Sequence, residues 1–451
     1  MRPIKVALWG GLALLAGLWL LADPGALWPS GFFALRGSMV QLSGILAIGC
    51  MSLAMILALR PRWPERWLGG LDKMYRLHKW LGIAALVLAV FHWLWAQGPK
   101  WAGALGLLQR PARGTPPEIV NPLERLLQSQ RGLAEGIGEW AFYAAVALIV
   151  VALAPRIPYR HFYGTHRLLA VAYLVLAFHA VVLTRFAYWT TPLGLLLAVL
   201  LVCGVVAAVV ALLRRVGAGR KVQGTVTRLH YYPDLRVLEG DVDAPQGWPG
   251  HKPGQFAFIT TDEAEGAHPF TIASAWNPSE HRLTFITKEL GDYTRRLPDT
   301  LRVGQPVRIE GPYGCFTFDD DRPRQIWIGG GIGITPFVAR MKQIAMDRRA
   351  YSGRPHTQAV DLFHTTADYS EEAIGRLRAD AAAAGVYVHV LHDARDGQLS
   401  GERIREAVPD WREASVWFCG PVGFGAALRA DFAGHGFDAG ARFHQELFAM
   451  R

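Results

Sequence analysis

Apolar residues run in long blocks along the first half of the chain and in short, interrupted blocks along the second. Six long blocks cover roughly residues 4–22, 39–59, 77–96, 137–154, 166–184 and 192–213. Each approaches the ~20 residues that cross a bilayer as an α-helix. The first has Arg2 and Lys5 ahead of it, as a secretion signal would. No small-x-small cleavage site clearly follows and five more blocks do, so it reads as a retained helix. After residue 215 the pattern changes. KVQGTVTRL, LRVLEGDV, QFAFITT and LTFITK are short, β-branched or apolar, and separated by Gly and Pro turns. They predict a small antiparallel β-barrel. From about residue 323, strand-like runs (QIWIGG, AVDLFH, VYVHVLH, SVWFCG) alternate with helix-like ones (FVARMKQIAM, EEAIGRLRADAAAA). That alternation predicts an α/β domain with a parallel sheet. The expected fold is a multi-domain membrane protein, with a six-helix transmembrane bundle at 1–215, an antiparallel barrel at 216–322 and an α/β parallel-sheet domain at 323–451.

Charge orients the bundle. The chain has 451 residues, a net charge of +10 and 19% charged residues. Much of the positive charge lies in short loops beside the apolar blocks, as membrane proteins place it on their cytoplasmic side. The second loop carries Arg60, Arg62, Arg66, Lys73, Arg76 and Lys79, the fourth Arg156, Arg160 and Arg167, and Arg214 and Arg215 close the sixth block. The first and fifth loops hold only Arg36 and Arg185. Both termini are therefore expected in the cytoplasm of a bacterial cell, with the chain in the inner membrane and its lipid bilayer. The third loop, about 97–136, is external, and its Pro-rich stretch RPARGTPPEIVNP would cap the outer surface. No basic stripe marks the soluble half, so nucleic acid is not an expected partner. Cys50, Cys203, Cys315 and Cys419 form no C-x-x-C pair, which indicates neither a zinc site nor a disulfide framework.

Four histidines lie inside the apolar blocks: His78 and His92 in the third, His166 and His179 in the fifth. Ionisable residues in a membrane are costly, and four in two pairs call for a function. Blocks three and five cross in the same direction, so His78 and His166 share the inner side and His92 and His179 the outer side. Spacings of 14 and 13 residues correspond to about 21 and 20 Å of helix, within a core of about 30 Å. Neutral imidazole is a good iron ligand. Two facing pairs would leave each of two haems six-coordinate and suited to electron transfer. One detail strains this reading. At about 100° per residue, 14 residues return to nearly the same helix face, whereas 13 land about 140° away.

Two histidine pairs at this spacing, on the third and fifth of six spans, resemble the ferric reductase and NADPH oxidase superfamily. The resemblance covers nearly the whole chain and implies two b-type haems, bound non-covalently; no C-x-x-C-H occurs. It implies that the bundle is a di-haem ferric-reductase-like domain, that the barrel binds FAD and that the α/β domain binds NADPH or NADH. His268-Pro269-Phe270-Thr271 looks like the superfamily's flavin motif, with Ser274 nearby and Pro253-Gly254-Gln255-Phe256 just before it. Lys288, Gly291, Asp292, Tyr293 and Thr294 resemble the stretch that holds the FAD pyrophosphate. A cation, a flexible Gly and a hydroxyl at a helix start suit an anion. The chain ends His444-Gln445-Glu446-Leu447-Phe448, and Phe448 is the candidate for the near-terminal aromatic that stacks on the flavin.

Gly329, Gly330, Gly331, Gly333, Thr335 and Pro336 form a glycine-rich turn between a strand and a helix. Such a turn lets backbone approach a pyrophosphate at a helix N-terminus. Its GxGxxP form resembles ferredoxin-reductase-type domains, and Gly311-Pro312-Tyr313-Gly314 lies at the family's domain junction. Cys419-Gly420-Pro421 resembles the CGP motif, whose Cys lies near the nicotinamide during hydride transfer. The oxidases place an Arg where Ala367 falls, in His364-Thr365-Thr366-Ala367-Asp368. Arg395 is an alternative partner for a 2′-phosphate, and the choice of dinucleotide stays open.

The expected function is electron transfer from cytoplasmic NAD(P)H through FAD and two haems to an acceptor outside. The inner haem would lie at His78/His166 and the outer at His92/His179. A ferric chelate is favoured over dioxygen, because the oxidases carry a further His where this chain has Ala96. A periplasmic redox protein or a quinone is a third class of acceptor. A reading from another class is a non-catalytic haem-binding or transport protein with a vestigial reductase tail. Intact flavin and nicotinamide motifs argue against it.

Overall fold

The structure, a computed structural model, describes residues 2–108, 119–154, 159–244, 247–350 and 358–446. Most of the Pro-rich external stretch and Phe448 lie outside the described residues. The chain divides into two units, Met1–Leu68 with Lys73–Val216, and Gly69–Asp72 with Gly217–Met450.

The first unit contains the six predicted helices, at Pro3–Ala22, Phe32–Ala58, Leu71–Ala104, Arg131–Leu153, His161–Leu183 and Pro192–Leu212, all long and apolar enough to cross a membrane. They are numbered here as spans 1 to 6. Span 4 packs along span 5, and span 2 along span 6. Small residues allow the close approaches, as is usual between helices that cannot rely on water to drive them together. The Tyr173 hydroxyl of span 5 sits where a side chain at Gly204 of span 6 would begin, 2.0 Å from that Cβ position, and it bonds Ser52 Oγ of span 2 at 2.9 Å.

Span 5 is not one regular helix. Tyr159–His166 ends and Leu168–Leu183 begins, with Arg167 between them. The Ala170 N–H bonds Arg167 O at 3.1 Å, an i→i+3 turn. A turn wound at 3.0 residues adds about 20° per residue, so three such residues cut the 140° offset to about 80°. The tightening falls between His166 and His179, where the 13-residue spacing demanded a distortion.

The second unit holds two sheets. The first comprises β1 (Lys221–Tyr232), β2 (Val237–Asp243), β3 (Phe256–Thr260), β4 (His268–Thr271), β5 (Arg282–Lys288) and β6 (Pro306–Tyr313), in the order β4-β3-β6-β1-β2-β5 with every pair antiparallel. A bridge between Ile272 and Phe285 ties the end of β4 to β5 and closes the sheet around Val226, Trp248, Ile272, Leu283 and Ile309. The second comprises β7 (Arg324–Gly330), β8 (Ala359–Thr366), β9 (Tyr387–His392), β10 (Ser415–Cys419) and β11 (Phe443–Gln445), in the order β11-β10-β7-β8-β9 and wholly parallel. Along β7, Trp327 points into one core with Phe337 and Met341, while Ile326 and Ile328 point into the other with Phe418 and Phe432. Burial on both faces explains why this strand reads as an apolar run.

Gly254, in the loop before β3, has φ +85°, and a Cβ there would lie 1.8 Å from Phe316 O. Gly254→Ala combines a left-handed strain with a clash against backbone. It is expected to destabilise the second unit by about 2–3 kcal/mol. Thermal unfolding followed by circular dichroism checks this, and an unchanged midpoint would contradict it.

Candidate functional site

In the first unit the two histidine pairs meet. The ring centres of His78 and His166 are 5.8 Å apart at 64°, and those of His92 and His179 are 6.2 Å apart at 80°. A first-row metal bonded to two imidazoles at about 2.0–2.1 Å separates their ring centres by about 6.4 Å, allowing about 1.2 Å from nitrogen to ring centre. The outer pair is close to that separation and the inner pair falls about 0.6 Å short of it.

Backbone carbonyls set the rings. His78 Nδ1 lies 2.9 Å from Ala54 O, His92 Nδ1 3.0 Å from Val40 O, and His179 Nδ1 2.8 Å from Ala134 O. A carbonyl oxygen only accepts, so each Nδ1 carries the proton and each Nε2 keeps its lone pair. That is the usual second contact of a metal-bound histidine. Ala54 and Val40 are 14 residues apart on span 2, matching the 14 between His78 and His92 on the antiparallel span 3. His166 differs: its Nδ1 is buried without a hydrogen-bond partner, and Phe162 stacks on its ring at 4.9 Å. Glycines make room. A Cβ at Gly138 would lie 2.1 Å from His179 Nδ1, and one at Gly44 3.1 Å from the His92 ring. Sequence reasoning missed both glycines, because their neighbours are distant in the chain. Among the described residues, no group of three or more His, Cys, Asp or Glu is disposed to hold a metal.

The flavin-motif residues separate into two sets. His268 stacks on Tyr293 at 3.8 Å and 9°, Phe270 lies 6.5 Å from the same ring, and the Tyr293 hydroxyl bonds Thr261 Oγ1 at 2.8 Å. Burial pulls His268 down to about 4, so its ring is neutral at physiological pH. The Thr294 hydroxyl accepts the N–H groups of Leu290 and Gly291, both at 3.0 Å, and so caps the helix Asp292–Thr300. The other set faces elsewhere. Ser274 Oγ accepts the Thr284 N–H at 3.1 Å inside the barrel, and Thr271 is buried. Lys288 Nζ bonds Asp368 Oδ2 at 2.5 Å, holding that carboxyl below its ordinary range.

The nicotinamide-motif residues converge where β7 and β10 lie side by side, the point at which strand order reverses and ligands of such sheets bind. A Cβ at Gly333 would lie 2.2 Å from Cys419 O, and one at Gly330 2.9 Å from Pro421 Cδ. The turn Gly331–Ile334 therefore rests directly on Cys419-Gly420-Pro421. The Gly329 carbonyl accepts from His364 Nδ1 at 3.0 Å. Thr335 Oγ1 bonds Ile332 O at 2.8 Å, and Pro336 opens the following helix. Cys419 is fully buried, and burial with Glu446 nearby pushes its thiol well up, so it is a neutral S–H. Arg395 is bound through two nitrogens to Asp396, at 2.9 and 3.0 Å, and holds that carboxyl at about 2.

The family described as "Ferric reductase like transmembrane component" matches residues 43–177, and that described as "FAD-binding domain" matches residues 223–317. Together the two matches support the ferric reductase and NADPH oxidase superfamily. It is similar to an NADPH oxidoreductase of Mycobacterium tuberculosis, with 29% identity over 41% of this chain and 47% of that protein. It is similar to a flavohemoprotein of Pseudomonas putida, with 28% identity over 41% and 48% respectively. The heavy chain of a superoxide-generating NADPH oxidase from Dictyostelium discoideum is 27% identical over 39% and 38%. The chain spans about half the length, or less, of these relatives. Among solved structures, an Amycolatopsis cytochrome P450 reductase aligns with a TM-score of 0.43 and 22% identity, over 51% of this chain and 70% of that one.

The geometry of the two units has two measurable consequences. Gly138→Val drives a side chain into the His179 ring. If each imidazole pair holds one haem, as the sequence pattern implies, the variant would lose about half of the haem absorbance while keeping its FAD content, and full haem content would contradict the placement. His251, which donates Nε2–H to Ser274 O at 2.9 Å, is held at about 4 by burial, against an ordinary 6.5. Between those values the unfolded chain binds a proton that the folded protein excludes. Its contribution is complete above pH 6.5 and falls by about 1.4 kcal/mol per pH unit as pH drops toward 4. His251→Gln keeps a donor for Ser274 and should flatten the dependence of the unfolding midpoint on pH. An equal slope in both proteins would contradict it.

Proposed function

We propose that this chain is a membrane NAD(P)H-dependent oxidoreductase that carries electrons from cytoplasmic NAD(P)H, through FAD and two b-type haems, to an acceptor on the far side of a bacterial inner membrane. The observation that carries the reading is the pair of imidazole pairs, one above the other, with ring centres 5.8 and 6.2 Å apart and three of four rings turned by backbone carbonyls. In this reading residues 1–215 hold the haems, 216–322 the FAD and 323–451 the dinucleotide, and both termini are cytoplasmic. FAD, when bound, accepts a hydride and releases single electrons, and a six-coordinate haem exchanges one electron at a time.

The chain's own residues provide the positions. His78 and His166 hold the inner iron, and His92 and His179 the outer. His268, Phe270 and Tyr293 form a flat surface for the flavin. The start of the helix Asp292–Thr300, with Gly291 and Lys288, receives its pyrophosphate, which requires Lys288 to exchange Asp368 for phosphate. The turn at Gly329–Gly333 and the helix beginning at Thr335-Pro336 receive the dinucleotide pyrophosphate. Cys419, a neutral thiol, lines the nicotinamide site without becoming a nucleophile.

A ferric chelate is the acceptor this reading favours. Ala96 supplies no imidazole beyond the outer pair. Its carbonyl, with that of Trp95, instead accepts the Arg36 guanidinium at 2.9 and 3.1 Å, which puts a cation where an anionic chelate would dock. Dioxygen is the second reading, favoured by the likeness to the superoxide-generating oxidase of Dictyostelium.

Purified protein should show haem bands that become reduced when NADH or NADPH is added under nitrogen. Ferric citrate should then reoxidise them and yield ferrous iron. Haem that stays oxidised would overturn the proposal in favour of a non-catalytic haem protein. Superoxide in air, with no response to ferric citrate, would select dioxygen.

A further inference from the structure

Three of the four imidazoles are tied through Nδ1 to a main-chain oxygen, and the fourth is not. Both outer rings are tied, His92 to Val40 O at 3.0 Å and His179 to Ala134 O at 2.8 Å, and Ser43 Oγ stands 3.3 Å from His92 Nδ1 as well. Of the inner rings, His78 is tied to Ala54 O at 2.9 Å. His166 Nδ1 is buried and, among the described residues, has no hydrogen-bond partner. Its place in the chain explains this. His166 closes the helix Tyr159–His166, just before the tight turn at Arg167 from which Leu168–Leu183 starts. Phe162, one turn back, stacks on the face of the imidazole at 4.9 Å and 24°. An imidazole N–H points along the ring plane, so a ring stacked on its face supplies no acceptor.

A carbonyl that accepts the Nδ1 proton raises the basicity of Nε2, and so favours the more highly charged, oxidised metal. Hydrogen bonding behind the axial ligands is one of the levers by which a protein sets the potential of haem iron. The outer pair has such a contact on both sides and the inner pair on one. Loop charge works in the same direction. Arg60, Arg62 and Arg66 follow span 2 at its inner end, six to twelve residues beyond Ala54, and positive charge favours reduced iron. The inner rings also stand about 0.6 Å closer than a metal between them requires. His166, the ring without an anchor, is the one that can give way.

We propose that the missing contact at His166 sets the inner iron at a higher potential than the outer. The inference rests on the electron path proposed above. Electrons arriving from the flavin collect at the inner pair, and leave it one at a time as an acceptor empties the outer pair. In each transfer the inner iron goes from ferrous to ferric and the outer from ferric to ferrous. No proton moves, because every Nδ1 keeps its hydrogen. NAD(P)H supplies two electrons, and two ferric chelates remove one each. A single hydrogen bond sets the scale: about tenfold in the ratio of reduced to oxidised iron at a common potential, or about 59 mV for one electron.

The test is a redox titration of the full chain in lipid nanodiscs, followed by haem absorbance and by pulsed electron paramagnetic resonance. Absorbance should resolve two one-electron waves about 59 mV apart. Raising KCl from about 0.1 M to about 1 M shortens the screening length from about 10 Å to about 3 Å. The gap should survive, whereas a gap set by loop charge alone would collapse. Pulsed resonance reads the quadrupole coupling of each remote ligand nitrogen, which depends on its hydrogen bond. One low-spin signal should carry two unlike Nδ1 couplings and the other two alike, and the unlike signal should disappear first on reduction. His78→Ala should remove the higher wave, and the assignment from unmodified protein stands if that variant does not fold. Coincident waves, a gap lost in high salt, four alike couplings, or an unlike signal that disappears last overturns the inference and leaves the electron path standing. Protein that binds no haem overturns the path, and the inference with it.

Discussion

The bundle depends on hydrogen bonds from histidine Nδ1 to main-chain oxygens of neighbouring helices. A helix normally spends its carbonyls on its own ladder, and each has a second lone pair. Span 2 offers two such oxygens, Val40 and Ala54, in the same 14-residue register as the two imidazoles of span 3. Sliding either helix by one residue would break both contacts at once. The fifth span is matched less simply. Its 13-residue spacing needs extra winding, which appears as the tight turn at Arg167, and only His179 finds a carbonyl. Close approach then requires the missing side chains at Gly44 and Gly138.

The same economy governs the second unit. Its glycine-rich turn packs as it does only because Gly330 and Gly333 lack the Cβ that would strike Pro421 and the Cys419 carbonyl. The glycines and the CGP stretch are therefore one object made of two chain segments, held in place by the parallel pairing of β7 with β10. The fully buried Cys419 stays a neutral thiol, which fits the lining role proposed for it beside a nicotinamide.

Much of this was legible in the chain. Long apolar blocks announced the six helices, and short β-branched runs the two sheets, because burial and strand period leave direct marks on sequence. The four histidines stood out since charge-capable groups are rare in apolar helices. What was hidden was every contact made through backbone or between remote segments. Nothing in the sequence pairs His92 with Val40, requires Gly at 138, turns Ser274 inward to Thr284, or commits Lys288 to Asp368 across 80 positions. Motif resemblance placed Ser274 and Lys288 by their neighbours in the chain, whereas their hydrogen bonds are decided by strand register and by where the two sheets meet.

The central claim, that each imidazole pair is made to hold one iron, is tested most directly by low-temperature electron paramagnetic resonance of the oxidised full chain. Rings that cross at 64° and 80° should give two low-spin ferric signals of the strongly anisotropic kind expected for near-perpendicular axial imidazoles. His92→Ala should remove one of them and His78→Ala the other. A single low-spin signal, or high-spin iron in the unmodified protein, would contradict the account.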